Sequence, residues 1–141
     1  MANFIVKVVC GKFTPEDDIL APGQYWTAIN IYNLNHAASA TLNVRIAVAE
    51  PAKPGGPFQA QGPSFNVPGQ LLLKPEQALE IDCDYVMRAA RDFAKHEKSF
   101  LKGFVVIRCD VALDVVAVYT SATPSGDAIT LHTEHVASRR F

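Results

Sequence analysis

Two short polar constellations in this chain could do chemistry. Glu80 and Asp82 are two residues apart, as are His132 and Glu134. An i, i+2 pair shares one face of a β-strand. Each pair therefore sets two titratable groups side by side, as general acid–base catalysis requires. If the fold brings Asp82, His132 and Glu134 together, they form the set a hydrolase or small-ligand site would use. The plainer explanation is the polar outer face of a half-buried strand, which produces the same spacing. His132 and His135 fall on opposite faces of a regular strand and make no two-ligand metal grip. His36 lies in a turn and His96 follows a helix. No nucleophile elbow, phosphate-cradling glycine loop or dinucleotide fingerprint occurs. The expectation is a non-catalytic protein that needs neither metal nor cofactor, with the hydrolase reading as the alternative.

The three cysteines, Cys10, Cys83 and Cys109, have no close spacing. That excludes a zinc motif and a dense disulfide framework. Each ends an apolar run, where a free thiol behaves as a small buried hydrophobe. Free, buried thiols are the expectation. One bridge, from Cys10 to Cys83 or to Cys109, is the alternative if the protein is exported.

The elements that position these residues are mostly strands. The centre is Phe100–Thr120, where the unbroken apolar runs Phe104–Ile107 and Val115–Val118 suggest strands covered on both faces. The short connection at Asp110–Ala112 suggests that they form a hairpin. Asn3–Cys10 puts Phe4, Val6, Val8 and Cys10 on one face. In Gln24–Asn33, Tyr25, Thr27, Ile29 and Ile31 oppose Trp26, Ala28, Asn30 and Tyr32. In Ala40–Ala49, Leu42, Val44, Ile46 and Val48 oppose Thr41, Asn43 and Arg45, and the turn Asn33–His36 predicts a second hairpin. Ala78–Cys83 and Ala128–Val136 alternate in the same way. The spacing of Val86, Ala90, Phe93 and Ala94 predicts one helix, Tyr85–Lys95, capped by Asp84.

Glu50–Gly69 holds five of the nine prolines and four of the eight glycines, so it cannot lie inside a sheet. It reads as an ordered crossover pinned by Phe58, Phe65 and Val67. The acidic trio Glu16–Asp18 reads as a solvated loop. Together these describe a single all-β domain over residues 1–141, mainly an antiparallel β-sandwich of about seven or eight strands with one short helix near 85–95.

At 141 residues the chain suits one core, and 49% hydrophobic against 19% charged residues is a globular balance. A net charge of −1 supplies no global attraction to nucleic acid or anionic membrane, so nucleic acid is not an expected partner. No apolar run is long enough to span a bilayer, and no secretory signal is recognisable, so no membrane insertion and a cytoplasmic location are expected. Edge strands need cover, and Gln24–Asn33 is aromatic on both faces. Both features predict a homo-oligomer. The candidate interaction surfaces are the Trp26, Asn30 and Tyr32 face, the crossover around Gly56, Pro57 and Phe58, and the basic helix residues Arg88 and Arg91.

Val9–Gly11, Tyr25–Asn33, Ala78–Cys83, Lys102–Ile107 and Leu113–Thr120 together resemble an uncharacterised family of small bacterial proteins. More distantly, the layout is similar to the sensory rhodopsin transducer family. The shared features are an asparagine-rich turn after an early strand, a strand ending near Glu50-Pro51, a Gly56-Pro57-Phe58 element, and a late strand ending in Val118-Tyr119-Thr120. The helix and the cysteines depart from that pattern. The resemblance implies a soluble, cytoplasmic, oligomeric β-sandwich that relays signals by binding other proteins. Two functions follow as expectations: a protein-binding adaptor or assembly module, and a filament or shell subunit in which Asn3–Cys10 adds to a neighbour's sheet edge.

Overall fold

The computed structural model describes residues 1–13, 21–52, 54–55 and 62–140. The acidic trio and Gly56, Pro57 and Phe58 lie outside the described residues. Nine strands and one helix follow in order: β1 (Ala2–Phe13), β2 (Gly23–Asn33), β3 (Ala40–Val48), β4 (Ser64–Asn66), β5 (Leu71–Leu73), β6 (Ala78–Ile81), α1 (Cys83–Ala94), β7 (Phe100–Cys109), β8 (Leu113–Ala122) and β9 (Ile129–His135). The fold is all-β and every pairing is antiparallel, in the order β4-β3-β7-β1-β2-β8-β9, with β5 on β3 and β6 on β2.

The alternating strands place their apolar residues as their patterns require. Phe4, Val6 and Val8 of β1, Ile29 and Ile31 of β2, Leu42, Val44 and Ile46 of β3, Val105 and Ile107 of β7, and Val115 and Ala117 of β8 bury into one shared core. The sheet folds over at β1. That strand pairs with β7 over ten residues but with β2 only from Gly11 to Phe13. Gly11 sits at this corner with φ 104°, and a Cβ there would lie 2.0 Å from the Ser99 carbonyl oxygen. Only glycine combines that backbone with that approach. Beyond the corner, the buried Thr27 hydroxyl continues the ladder in place of backbone. It accepts from Val9 N–H at 3.0 Å and donates to Val9 O at 3.2 Å. Thr27→Val keeps the shape and removes both bonds, so urea unfolding should show a loss of about 2 kcal/mol. A loss under about 0.5 kcal/mol would mean that water replaces the hydroxyl.

The structure corrects four expectations. Neither hairpin exists: β7 pairs with β1 and β3, β8 with β2 and β9, and β2 with no residue of β3. Each short connection instead carries the chain from one half of the folded sheet to the other, because both strands need an inner face covered. The outer faces of the central strands are not covered, and Phe104 is 42% exposed. The helix begins two residues early, at Cys83, because Asp82 and not Asp84 caps it, accepting from Tyr85 N–H at 3.0 Å. Cys10 and Cys83 are not free thiols but a disulfide with Cα atoms 5.5 Å apart, while Cys109 is free and buried.

The bridge joins the corner end of β1 to the first turn of α1. Val86, Ala89 and Ala90 bury the inner face of that helix. Lys95 ends it in the left-handed region, and the N–H groups of Lys95 and His96 both reach Ala90 O, a closure that satisfies terminal carbonyls. In the crossover, Phe65 and Val67 pack against the core. No described helix is long and apolar enough to cross a membrane.

Candidate interaction surfaces

Register decides which side chains share a face. On the outer side of β2, Trp26 lies opposite Thr120, Ala28 opposite Val118, Asn30 opposite Val116 and Tyr32 opposite Asp114. Glu80 of β6 flanks Asn30 on the other edge, and β9 extends the rows with Leu131, Thr133 and His135. Trp26, Asn30 and Tyr32 thus lie on one exposed face, as their alternation predicts, with Val116 and Val118 half-buried between them. Among the described residues, lysine and arginine are missing from this face, while Glu80 and Asp114 are on it. Asp114 Oδ1 is 3.0 Å from His135 Nε2.

A groove of about 500 Å³ runs along this face toward the helix, lined by Trp26, Ala28, Glu80, Asp82 and Met87. Cys83 also lines it, with Thr27 N–H directed at its Sγ from 3.1 Å.

Strand β9 is the most open element. All seven of its residues are exposed, Ile129 to 71% and Leu131 to 67%. It pairs with β8 along one edge, and no other described strand pairs with it. His132 stacks on Tyr119 with ring centroids 6.1 Å apart. Burial, and secondarily the Glu134 charge, push the Tyr119 phenol above its ordinary value.

The candidate catalytic set does not converge. His132 shares a face with Tyr119 and Thr27, the side that turns toward the core. Asp82 follows the inward Ile81 and lines the outer groove. Glu80 stands on the outer face as well, without a basic partner among the described residues. Among the described residues, no three His, Cys, Asp or Glu side chains group to hold a metal ion.

The basic helix surface is largely neutralised. Arg88 Nη2 is 3.0 Å from Asp84 Oδ2, and Arg91 Nε is 3.5 Å from Asp92 Oδ1. Burial raises the nearby Tyr85 phenol above its usual range. Arg88 and Arg91 therefore present ion pairs of their own helix more than a free cationic patch.

Sequence reasoning missed a basic surface on the opposite half of the sheet. Register sets Lys7 beside Phe104 and Arg45 beside Val106, with Lys102 and Arg108 further along β7. None of these four cations has a carboxylate partner among the described residues. At the Lys102 end of this surface opens a second cavity, of about 460 Å³. Its apolar wall includes Phe13, Val48 and Leu101, and Lys12, Lys98 and Lys102 stand around it. The free Cys109 is elsewhere, buried; desolvation first, with the Asp110 charge behind it, raises its thiol pKa and leaves it a poor nucleophile.

No protein-family model matches the chain, and no curated protein matches it. The chain is similar in fold to a solved structure, the crystal structure of Thermotoga maritima 1070, with a TM-score of 0.52 over 96% of this chain and 92% of that one. The two are 11% identical, so the likeness is one of architecture.

Proposed function

We propose that this chain is a non-catalytic, homo-oligomeric β-sandwich that serves as a protein-binding adaptor or assembly module. The observation that carries this reading is β9: a strand whose seven residues are all exposed and whose second edge no described strand pairs, with Ile129 and Leu131 among the most exposed large apolar side chains. An uncovered apolar edge strand invites pairing with another chain. A second copy supplies an identical edge, and antiparallel β9 strands related by a two-fold axis would extend the sheet across the pair. The adjoining Trp26 and Tyr32 face would enlarge that contact. An oligomeric, partner-binding β-sandwich is also what the sequence resemblance implies. The cytoplasmic location belongs to the same reading, although a buried disulfide is more at home in an oxidising compartment.

Filament assembly by strand addition is the second reading. Its donor was expected to be Asn3–Cys10, but that stretch is paired with β7 along its whole length and Asn3 also bridges Arg139. The edge of β9 that no described strand pairs is where added strands would dock in this reading.

Light scattering over a dilution series tests both readings. A fixed mass of two or more chains is expected, with Leu131→Lys and Trp26→Ala each shifting it toward monomer while circular dichroism stays unchanged. A mass that climbs with concentration favours the filament. A monomer at all concentrations sinks both.

A further inference from the structure

We infer that the cavity between β1, β3 and β7 is a binding site for a small phosphomonoester that carries an apolar or aromatic group. Three features lead there. The first is its shape and lining: about 460 Å³, walled on one side by Phe13, Val48 and Leu101, within the size range and apolar character of small-molecule sites. Phe13 and Phe100 meet edge-to-face in its wall, with centroids 4.6 Å apart, and such a wall receives a ring.

The second feature is the charge balance. Among the described residues, Lys12, Lys98 and Lys102 stand around the cavity with a single carboxylate, Glu50. Glu50 Oε2 lies 3.7 Å from Lys98 Nζ, which offsets that pair. Lys12 and Lys102 have no carboxylate partner among the described residues. Two uncompensated ammonium groups match the charge of a phosphomonoester near neutral pH, whereas one carboxylate would leave a cation unmatched.

The third is the kind of cation. Among the described lining residues the cations are lysines and not arginine, so the site lacks the planar fork that reads carboxylate and phosphate alike in bidentate fashion. Lysines act as point charges and fit the distributed charge of a phosphoryl group. His96 completes the rim. Its Nε2 donates to Phe100 O at 2.9 Å, which holds the imidazole in place beside the lysines.

This site lies on the other half of the molecule from β9, so it is independent of the oligomer reading. Nothing in it calls for a reaction; it is a binding site.

The test is calorimetric titration of the purified protein at low salt with phenyl phosphate, inorganic phosphate and benzoate. Saturable binding of phenyl phosphate is expected, tighter than that of either partial mimic and weakened by added salt. Lys12→Ala and Lys102→Ala should each weaken it about tenfold, the scale of one charge-assisted contact. Lys7→Ala, on the same outer surface but outside the cavity, should leave it unchanged. All three positions are at the surface, and matching circular dichroism spectra would confirm that the variants fold. Several results overturn the inference: no saturation at millimolar ligand, equal affinity for benzoate, or indifference to both cavity lysines. Inorganic phosphate binding as tightly as phenyl phosphate would also overturn it, by removing the apolar half of the recognition.

Discussion

Cys83→Ala should lower the free energy of unfolding by about 4 kcal/mol, the scale expected for losing a cross-link that closes a loop of this length. The two cysteines are separated by 73 positions, and their sulfurs link β1 to the helix that plugs the fold's corner. In the oxidised protein that loop is already closed before folding begins. Without the link, the chain must pay its closure entropy during folding, and a buried thiol is left at Cys10. Urea unfolding followed by circular dichroism reads the difference. Wild-type protein unfolded under strong reductant should fall close to the variant, and Cys10→Ala should match it. An unchanged midpoint for Cys83→Ala, with wild-type also indifferent to reductant, would show that the bridge contributes no stability.

The second large effect is expected at Asn33. This side chain is fully buried at the end of β2. Its amide nitrogen lies 2.9 Å from Ala38 O, 3.1 Å from Leu73 O and 3.3 Å from Lys74 O. Its carbonyl oxygen accepts from the backbone and side chain of Asn35, at 3.0 and 2.7 Å. Its backbone also reaches the β5–β6 turn, receiving from Glu76 N–H and donating to Gln77 O. One amide therefore ties the β2–β3 connection to that turn. Asn33→Ala strands several of these groups away from water, so a loss of about 3 kcal/mol is expected. Asn33→Asp keeps the acceptor but puts an anion against three carbonyl oxygens, and should be at least as damaging. A loss under about 1 kcal/mol in urea unfolding would mean that water fills the gap and satisfies the turn.

How much of this was legible in the sequence depends on what each pattern encodes. Alternation identifies the face of a strand, and so the inward residues of β2 and β3 and the outward Trp26, Asn30 and Tyr32 were readable. Alternation does not identify the partner. Three residues between β7 and β8 suit a hairpin and equally suit a step across a sandwich, and only the need to cover two inner faces decides between them. Phe104 reads as core because its neighbours are apolar, yet it sits outward, beside Lys7. The acid-capped start of α1 was misplaced by two residues, since Asp82 and Asp84 both suit a cap and only geometry separates them. The disulfide was open as an alternative because nothing local joins positions so far apart. The basic surface was invisible for the same reason: Lys7, Arg45, Lys102 and Arg108 come from three strands, and a net charge of −1 conceals their gathering on one face.

The Cys10–Cys83 bridge has one more consequence, and it concerns damage to the backbone. Every peptide bond from Gly11 to Asp82 lies inside a covalent ring. A protease that cuts once within the Pro/Gly-rich crossover therefore makes two polypeptides without releasing either, and β1 remains attached to the strands that follow the ring. The nicked molecule would migrate as one species until a reductant opens the bridge, and only then as two.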